Sequence, residues 1–391
     1  MSLESYSDRD IMEQFSKKID RATAYCTYCP KMCRFSCPAA EAEERETVTP
    51  WGMMRLFEFV KDGSVEPSEE VAETFYHCMG CRRCQEWCLH DNDVPEALWE
   101  ARAMMRRAGH VPDELEDFPE EFRQNNAPQR HVPKLPEVHG FTADDVFDQE
   151  STTVYMPDCE GRYGDPEALV RAGLLLEIFN GSKVALHTRR IFDEGDRGFG
   201  CCGFPMLSAG DEAGYEEYRA ELESAFVDAD RVVTDCGGFA ALYREESSWG
   251  REGDLDVVHM VDFLAERLDF VDVRATVDLD EAMIHDSCFL GRQLGLYEEV
   301  RTLLDAFCGE ELGEFQFNRH EAPCCGGPSH YHVVAPEASE RCARERLEQM
   351  EREGGEQVVC GLRTCSKSFA RADGDGVAID LLEIACRAFE L

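Results

Sequence analysis

Lysine is nearly missing from this 391-residue chain. Lys and Arg together number only 40, most of them Arg, against 80 Asp and Glu, so the net charge is 40 − 80 = −40. A surface this acidic repels DNA, RNA and anionic lipid headgroups and argues against any role built on phosphate contacts. It suits a cytoplasm of molar salt, where self-repulsion is screened within about 3 Å; a halophilic source is therefore expected. Long apolar runs are missing too. The longest, around Ala168 to Phe179, is broken by Arg171 and Glu177, far short of a membrane span. Residues 1–20 are acidic and lack the apolar stretch of a secretory signal, so a cytoplasmic location is expected. No phosphate-binding glycine loop, dinucleotide fingerprint, Ser–His–Asp set or nucleic-acid motif stands out. Without a flavin or nicotinamide site of its own, the chain needs another protein to oxidise an organic substrate.

What is abundant is cysteine, with 20 residues. In a cytosolic chain that number points to metal or redox use and not to structural disulfides. Eight fall in two tight runs: Cys26, Cys29, Cys33 and Cys37, followed by Pro38, and Cys78, Cys81, Cys84 and Cys88. A [4Fe–4S] cluster needs four converging thiolates, and the second run has the C-x2-C-x2-C-x3-C spacing that supplies them, with Leu89 where Pro is usual. The first run has three residues between Cys29 and Cys33 but keeps Cys37-Pro38. Where two such runs occur, the fourth Cys of each ligates the other cluster. One cluster would then take Cys26, Cys29, Cys33 and Cys88, and the other Cys78, Cys81, Cys84 and Cys37. Structural zinc, the alternative, usually pairs two C-x2-C knuckles per site. His77 and His90 flank the second run, as tuning groups or as surface histidines; Arg82 and Arg83 offset cluster charge or are ordinary surface charge.

The pattern around these runs is helical. Ile11, Met12, Phe15 and Ile19 share one face of a helix over residues 8–24, Trp51 to Lys61 forms another that stops at Asp62-Gly63, and Pro95 opens a third through about Arg107. Together they describe an α-helical domain over residues 1–110. Five prolines punctuate residues 111–150, which read as a linker over the surface. From 151 short strands and helices alternate: strands at Thr152–Met156, Lys183–His187 and Arg231–Thr234, with helices from Pro166 to Phe179 and Asp211 to Val227. The order recurs with strands at Ala282–His285, Phe315–Phe317 and Gln357–Val359 and helices from Leu294 to Phe307 and Pro336 to Glu353. The fold class is thus multidomain α+β: a helical two-cluster domain, then two duplicated α/β domains with parallel sheets at 151–275 and 276–391.

Each repeat contains an adjacent cysteine pair before glycine, Cys201-Cys202-Gly203 and Cys324-Cys325-Gly326. Two adjacent side chains cannot both enter one apolar core without strain. Each pair lies between a lone earlier thiol, Cys159 or Cys288, and a late one, Cys236 or Cys360, with Cys365 nearby. The glycine would let backbone approach a bulky ligand. Asp158, His285 and Asp286 precede the lone thiols at strand ends, as proton donors or as helix caps. His330 and His332 follow the second pair; Cys308, Cys342 and Cys386 sit at apolar helical positions and read as core.

This layout resembles the cysteine-rich CCG-domain family. That family includes the catalytic component of heterodisulfide reductase and the iron–sulfur components of anaerobic glycerol-3-phosphate dehydrogenase and of lactate and glycolate oxidation. The resemblance covers nearly the whole chain. It implies an oxidoreductase subunit that relays electrons between a flavoprotein dehydrogenase and a membrane quinone or cytochrome partner. It also implies a possible third, noncubane [4Fe–4S] cluster in the second CCG domain, held by Cys288, Cys324, Cys325, Cys360 and Cys365, with Cys159, Cys201, Cys202 and Cys236 the weaker set. The alternative is a disulfide reductase with Cys324 and Cys325 as catalytic thiols. The chain departs from the full motif twice: Phe239 stands where a Cys is expected after Cys236, and Arg363 three positions after Cys360. If Cys365 is the last ligand, Leu362 holds the penultimate place and Cys360 is extra; with an insertion, both could ligate.

Overall fold

The computed structural model describes residues 8–125, 136–158, 165–187, 201–243 and 255–391. Its N-terminal part is helical. The first helix runs Asp8–Tyr28, one turn beyond the expected end, so Cys26 sits on its last turn, just before Pro30. The helix Pro50–Lys61 has Thr49 as N-cap, whose hydroxyl accepts from the Gly52 N–H, and Pro50 where a missing N–H costs nothing. Met53, Met54, Phe57 and Val60 recur at helical spacing and are buried. Two further helices, Glu69–Tyr76 and Val94–Arg107, are capped by Ser68 and Asp93. The four bury Ile19, Met54, Phe57, Phe75 and Leu98 in one core, each large apolar side chain contributing roughly 1.5–3 kcal/mol. That core holds both cysteine runs between its helices.

Two four-stranded parallel sheets follow. The first has order β2-β1-β3-β4, with β1 Thr153–Met156, β2 Ala185–Leu186, β3 Arg231–Thr234 and β4 Val257–His259. The second has order β6-β5-β7-β8, with β5 Ala282–His285, β6 Gly313–Glu314, β7 Gln357–Cys360 and β8 Ala378–Asp380. The central strands are buried on both faces, so Val154, Tyr155, Val232, Val233, Val358 and Val359 read as continuous apolar runs and not as alternation.

Several elements differ from the sequence reading. The expected strand Phe315–Phe317 is displaced to Gly313–Glu314, because Phe315 turns into the core under the Arg346 guanidinium, 3.5 Å from its ring centroid. The expected helix from Leu294 begins only at Glu298, since Gly295 is left-handed (φ +75°) and a single π-helical turn, Phe289–Gln293, precedes it. The edge strands β4 and β8 are additional; each has three residues, too few for a period. The Pro-rich stretch is also not bare linker in its described parts. Phe118–Asn125 is helical, and the Asp148 N–H donates to the Val184 carbonyl. Val146 and Phe147 press so closely on Gly173 that a Cβ there would lie 2.5 Å from Val146.

Arg102 joins the three parts. Its side chain is fully buried and donates to carbonyls of Phe75 and Cys78 in the helical part, Ser208 in the first sheet domain and Ser329 in the second. Gly210 (φ +77°) has no room for a Cβ, which would meet the Arg102 backbone at 2.7 Å.

Candidate metal centres

The helix Asp8–Tyr28 delivers Cys26, the following loop Cys29 and Cys33, and the turn after the short helix Arg83–Glu86 delivers Cys88. These four thiols act on one another. Burial pushes Cys26 up to about 12, opposed by a hydrogen bond from Asn92 and reinforced by Cys33, Cys88 and Cys29. Burial, then Cys88 and Cys29, push Cys33 up to about 11. The remaining four line a single cavity together with Met53 and Val94: Cys37, Cys78, Cys81 and Cys84. Here burial raises Cys84, with Cys81, Cys33, Cys78 and Cys37 adding repulsion. So the structure groups the thiols crosswise, the last Cys of each run with the first three of the other.

A cluster of buried thiols that oppose one another's ionisation is the environment that a cationic iron core relieves. Donors aimed at sulfur are also present: Asn92 Nδ2 lies 3.5 Å from Cys26 Sγ and the Gly80 N–H 3.5 Å from Cys78 Sγ. The residues therefore fit a pair of [4Fe–4S] clusters, with hydrogen bonds placed to tune them.

The second sheet domain brings its thiols against this region. Cys288 follows β5, and its Sγ is 3.9 Å from that of Cys324. Cys324 in turn is hydrogen-bonded to Cys81; that bond, with the Arg292 and Arg83 cations, holds Cys81 down at about 6 despite burial. Cys325 lies on the other side of the pair. Its Sγ, the Cys365 Sγ and a ring nitrogen of His285 are all within 4.8 Å of one another, and all three residues are buried. Hydrogen bonds from Cys324 and Cys365, opposed by burial and joined by His285, hold Cys325 well below the usual thiol range. Cys365 opens the helix Arg363–Asp373 and points into this set, whereas Cys360 ends β7, fully buried beside it and in register with His285 and Asp380. Cys342, expected in the core, is buried, yet it lies close enough to Cys37, Cys325 and Cys81 for their charges to act on it. Cys308 and Cys386 are buried core residues.

In the first sheet domain Cys202 is hydrogen-bonded to Cys201 and Cys236. Cys159 lies outside the described residues. Phe239, where a fourth thiol would be, is fully buried and stacks on Phe226 (6.4 Å between centroids) and edge-on to Tyr243 (4.9 Å). Trp99, Phe204 and Phe289 form an edge-to-face series at 5.5 Å steps between the domains.

The flanking polar groups divide by role. His285 is held neutral by burial and faces Cys325. Asp286 instead forms a bidentate pair with Arg301, at 2.8 and 3.1 Å, and accepts from the Arg319 N–H, so it braces the loop and does not face the thiols. The Asp158 N–H donates to Asp235. His330 is buried against Phe118 and the Pro205 carbonyl and is a packing residue, while His332 is exposed. His77 is buried on Glu43, 2.7 Å away, and His90 is exposed, stacked on Tyr25. Arg82 pairs with Asp93; Arg83 lies near Cys81 and donates to the Ser36 and Glu321 carbonyls. The glycines after the pairs are needed for their left-handed backbone, φ +79° at Gly203 and +84° at Gly326. A Cβ would meet Tyr218 or Ser339, so the crowding comes from protein and not from a ligand. Sequence reasoning missed Arg292, a lone arginine in a helix start with no motif around it. It donates to the Cys81, His320 and Ala322 carbonyls.

Comparison with known proteins finds two domain families in the chain. The cysteine-rich CCG domain profile matches residues 282–370, and the 4Fe-4S dicluster domain profile matches residues 22–92. The chain is 25% identical to the probable glycolate oxidase iron-sulfur subunit of Bacillus subtilis, across 85% of both chains. It is 30% identical to lactate utilization protein A of Geobacillus thermodenitrificans over 41% of this chain and 71% of that one. The probable iron-sulfur-binding oxidoreductase FadF of Bacillus subtilis is 25% identical over 73% of this chain and 41% of its own length. With a cysteine-rich CCG domain behind a 4Fe-4S dicluster domain, the chain belongs to the CCG-domain family of iron–sulfur oxidoreductases.

Proposed function

We propose that this protein relays electrons between a flavoprotein that oxidises a 2-hydroxy acid and a membrane quinone or cytochrome acceptor. The observation that carries the reading is the thiol chain from Cys81 to Cys324 and on to Cys288 and Cys325. Oxidation of a 2-hydroxy acid to a 2-oxo acid at a flavin releases two electrons and two protons; the protons go to solvent and the electrons pass onward. A [4Fe–4S] cluster exchanges such electrons singly and does no bond chemistry. Two clusters are assigned, to Cys26, Cys29, Cys33 and Cys88 and to Cys37, Cys78, Cys81 and Cys84. A third is assigned to the second CCG centre, with Cys288, Cys324, Cys325 and Cys365 as ligands. Within that centre Cys365 takes the last ligand position and Cys360 supports it from below. The chain's own residues set the route: Arg292 and Arg83 place positive charge where the helical part meets the second CCG centre, and the buried aromatics exclude water.

The parts are a helical domain over about residues 1–110, a connecting segment to 150, and two CCG domains of common origin, at 151–275 and 276–391. The shared strand order and the matching left-handed glycines support that origin. Among the described residues no helix is long and apolar enough to cross a membrane; contact with a membrane acceptor through a partner is part of the same reading.

Iron analysis after anaerobic reconstitution tests the assignment. About twelve irons per chain are expected, about eight would remove the third cluster, and zinc in place of iron would sink the reading. The second reading, a disulfide reductase, is favoured by the same Cys324–Cys325 pair, whose thiols are held apart in ionisation. It predicts disulfide turnover by the dithionite-reduced protein that is lost in Cys324→Ser.

A further inference from the structure

The described surface exposes ten large apolar side chains, and six of them surround one site: Tyr25 (42% exposed), Tyr28 (89%), Met32 (50%), Phe35 (58%), Trp87 (36%) and Leu89 (90%). All lie within four residues of Cys26, Cys29, Cys33 or Cys88. The two cysteine runs meet there side chain to side chain, with Phe35 edge-on to Trp87 at 4.9 Å and Tyr25 stacked on His90 at 4.6 Å. Single exposed apolar residues are ordinary, whereas a contiguous group marks a contact surface.

The charge of this region sets it apart from the rest. Between Arg21 and Ala40 there is no Asp or Glu at all, on a chain where one residue in five is acidic. Arg21, Lys31 and Arg34 are its ionic groups. Lys31 and Arg34 share a single carboxylate, Glu46, at 2.8 and 2.7 Å, and beside Trp87 and Leu89 the second run adds the exposed acids Glu86 and Asp91, so the patch is close to neutral on a strongly acidic chain. The acidic coat that keeps the chain apart from other molecules is withdrawn over residues 21–40.

The position decides what could use it. Cys81, in the other thiol set, touches the second CCG centre, whereas Cys29, Cys33 and Cys88 are half-exposed beneath the apolar group. This is the outer end of the thiol chain. We propose that the surface around Tyr28, Phe35, Trp87 and Leu89 docks the electron-donating flavoprotein, through an apolar patch on that protein. The inference rests on the relay reading and adds where the donor binds. A lipid surface is a poor occupant because the molecule as a whole bears −40 charge and anionic headgroups repel it. The residues fit a protein contact, since aromatic and methionine side chains are enriched at such interfaces and acids are depleted.

The test uses the double variant Tyr28→Glu/Leu89→Glu in the full reconstituted chain. Both side chains project into solvent, so the fold does not depend on them. The probe is the 2-hydroxy-acid-oxidising flavoprotein isolated with the wild-type chain from its own cells. Its affinity is measured by interferometry at fixed salt, beside iron content, cluster EPR and reduction by dithionite. The variant is expected to bind the flavoprotein at least tenfold more weakly, with iron, EPR and dithionite reduction unchanged. Unchanged affinity would overturn the proposal. So would a wild-type dimer in sedimentation that the variant loses, or vesicles of phosphatidylglycerol that bind wild type and not the variant, since these assign the patch to a second copy or to lipid. If no flavoprotein reduces the wild-type chain while the iron count is met, the relay reading itself fails, a result separate from any change in the variant.

Discussion

Replacing Arg292 by Met separates what this residue does for the fold from what it does for the sulfur centres. Its Nε donates to the Cys81 carbonyl at 2.6 Å and Nη1 to those of Ala322 and His320, at 2.9 and 3.2 Å. Charged hydrogen bonds are worth about 1.5–3 kcal/mol each. Because the guanidinium is partly exposed, we take the net loss on removing all three as about 3 kcal/mol, near the upper end for one substitution. Methionine keeps most of the volume, so the loss is polar and not a cavity. The electrostatic effect is separate. The Arg292 cation favours the charged form of Cys81; a unit charge about 10 Å from a cluster centre, at an effective dielectric of about 20, acts with about 1.7 kcal/mol. For a one-electron couple this is about 70 mV, since 59 mV is a factor of ten. The cluster assigned to Cys37, Cys78, Cys81 and Cys84 should therefore become harder to reduce by about 70 mV in an EPR-monitored redox titration. The cluster assigned to Cys26, Cys29, Cys33 and Cys88 should hardly move. Arg292→Lys restores the charge without the planar fork, so the potential should return while the stability stays low. Equal shifts in both clusters, or a shift in the Lys variant as large as in the Met variant, would refute the reasoning.

Other consequences are simpler to measure. Arg102→Met leaves four carbonyls from three parts of the molecule without their donor in a fully buried site; a loss above about 4 kcal/mol is expected, read as failure to recover folded protein. His259 and His330 are both held down at about 4 by burial. The unfolded chain therefore binds protons first, and stability must fall as pH drops from about 6.5 towards 4. Thermal unfolding at pH 7.5 and 5.5 should show a loss of roughly 1–1.5 kcal/mol per histidine, with His330→Gln removing about half of it. With a charge of −40, the melting temperature should rise steeply with KCl; full stability at low salt would contradict the expected halophilic origin.

The sequence carried a great deal of this architecture for physical reasons that are local. Cysteine spacing within a run is read directly, because a loop around a metal site has a fixed length. Helices such as Pro50–Lys61 were legible from their apolar face and their stop, each a property of a few adjacent residues. The parallel strands were legible where apolar runs were long enough, and lost at β4, β6 and β8, which have two or three residues and owe their existence to neighbours. Phe315 shows the limit well: its β propensity was real, but packing under Arg346 took it out of the ladder.

Cysteine content and motif order by themselves pointed to an iron–sulfur oxidoreductase subunit with a cysteine-rich CCG domain behind a two-run module. Tertiary structure alone decided which thiols meet across the domains. Cys81 and Cys324 are far apart in the chain, and no spacing rule joins them; they touch because Arg102, Arg292 and Arg83 fix the helical part against the second sheet domain through backbone carbonyls. Likewise His285 reaches Cys325 and Cys365 because β5 and β7 are parallel neighbours that bring His285 level with Cys360. Contacts of that kind depend on long-range packing, whose free energy is shared over many residues and is written in no single segment.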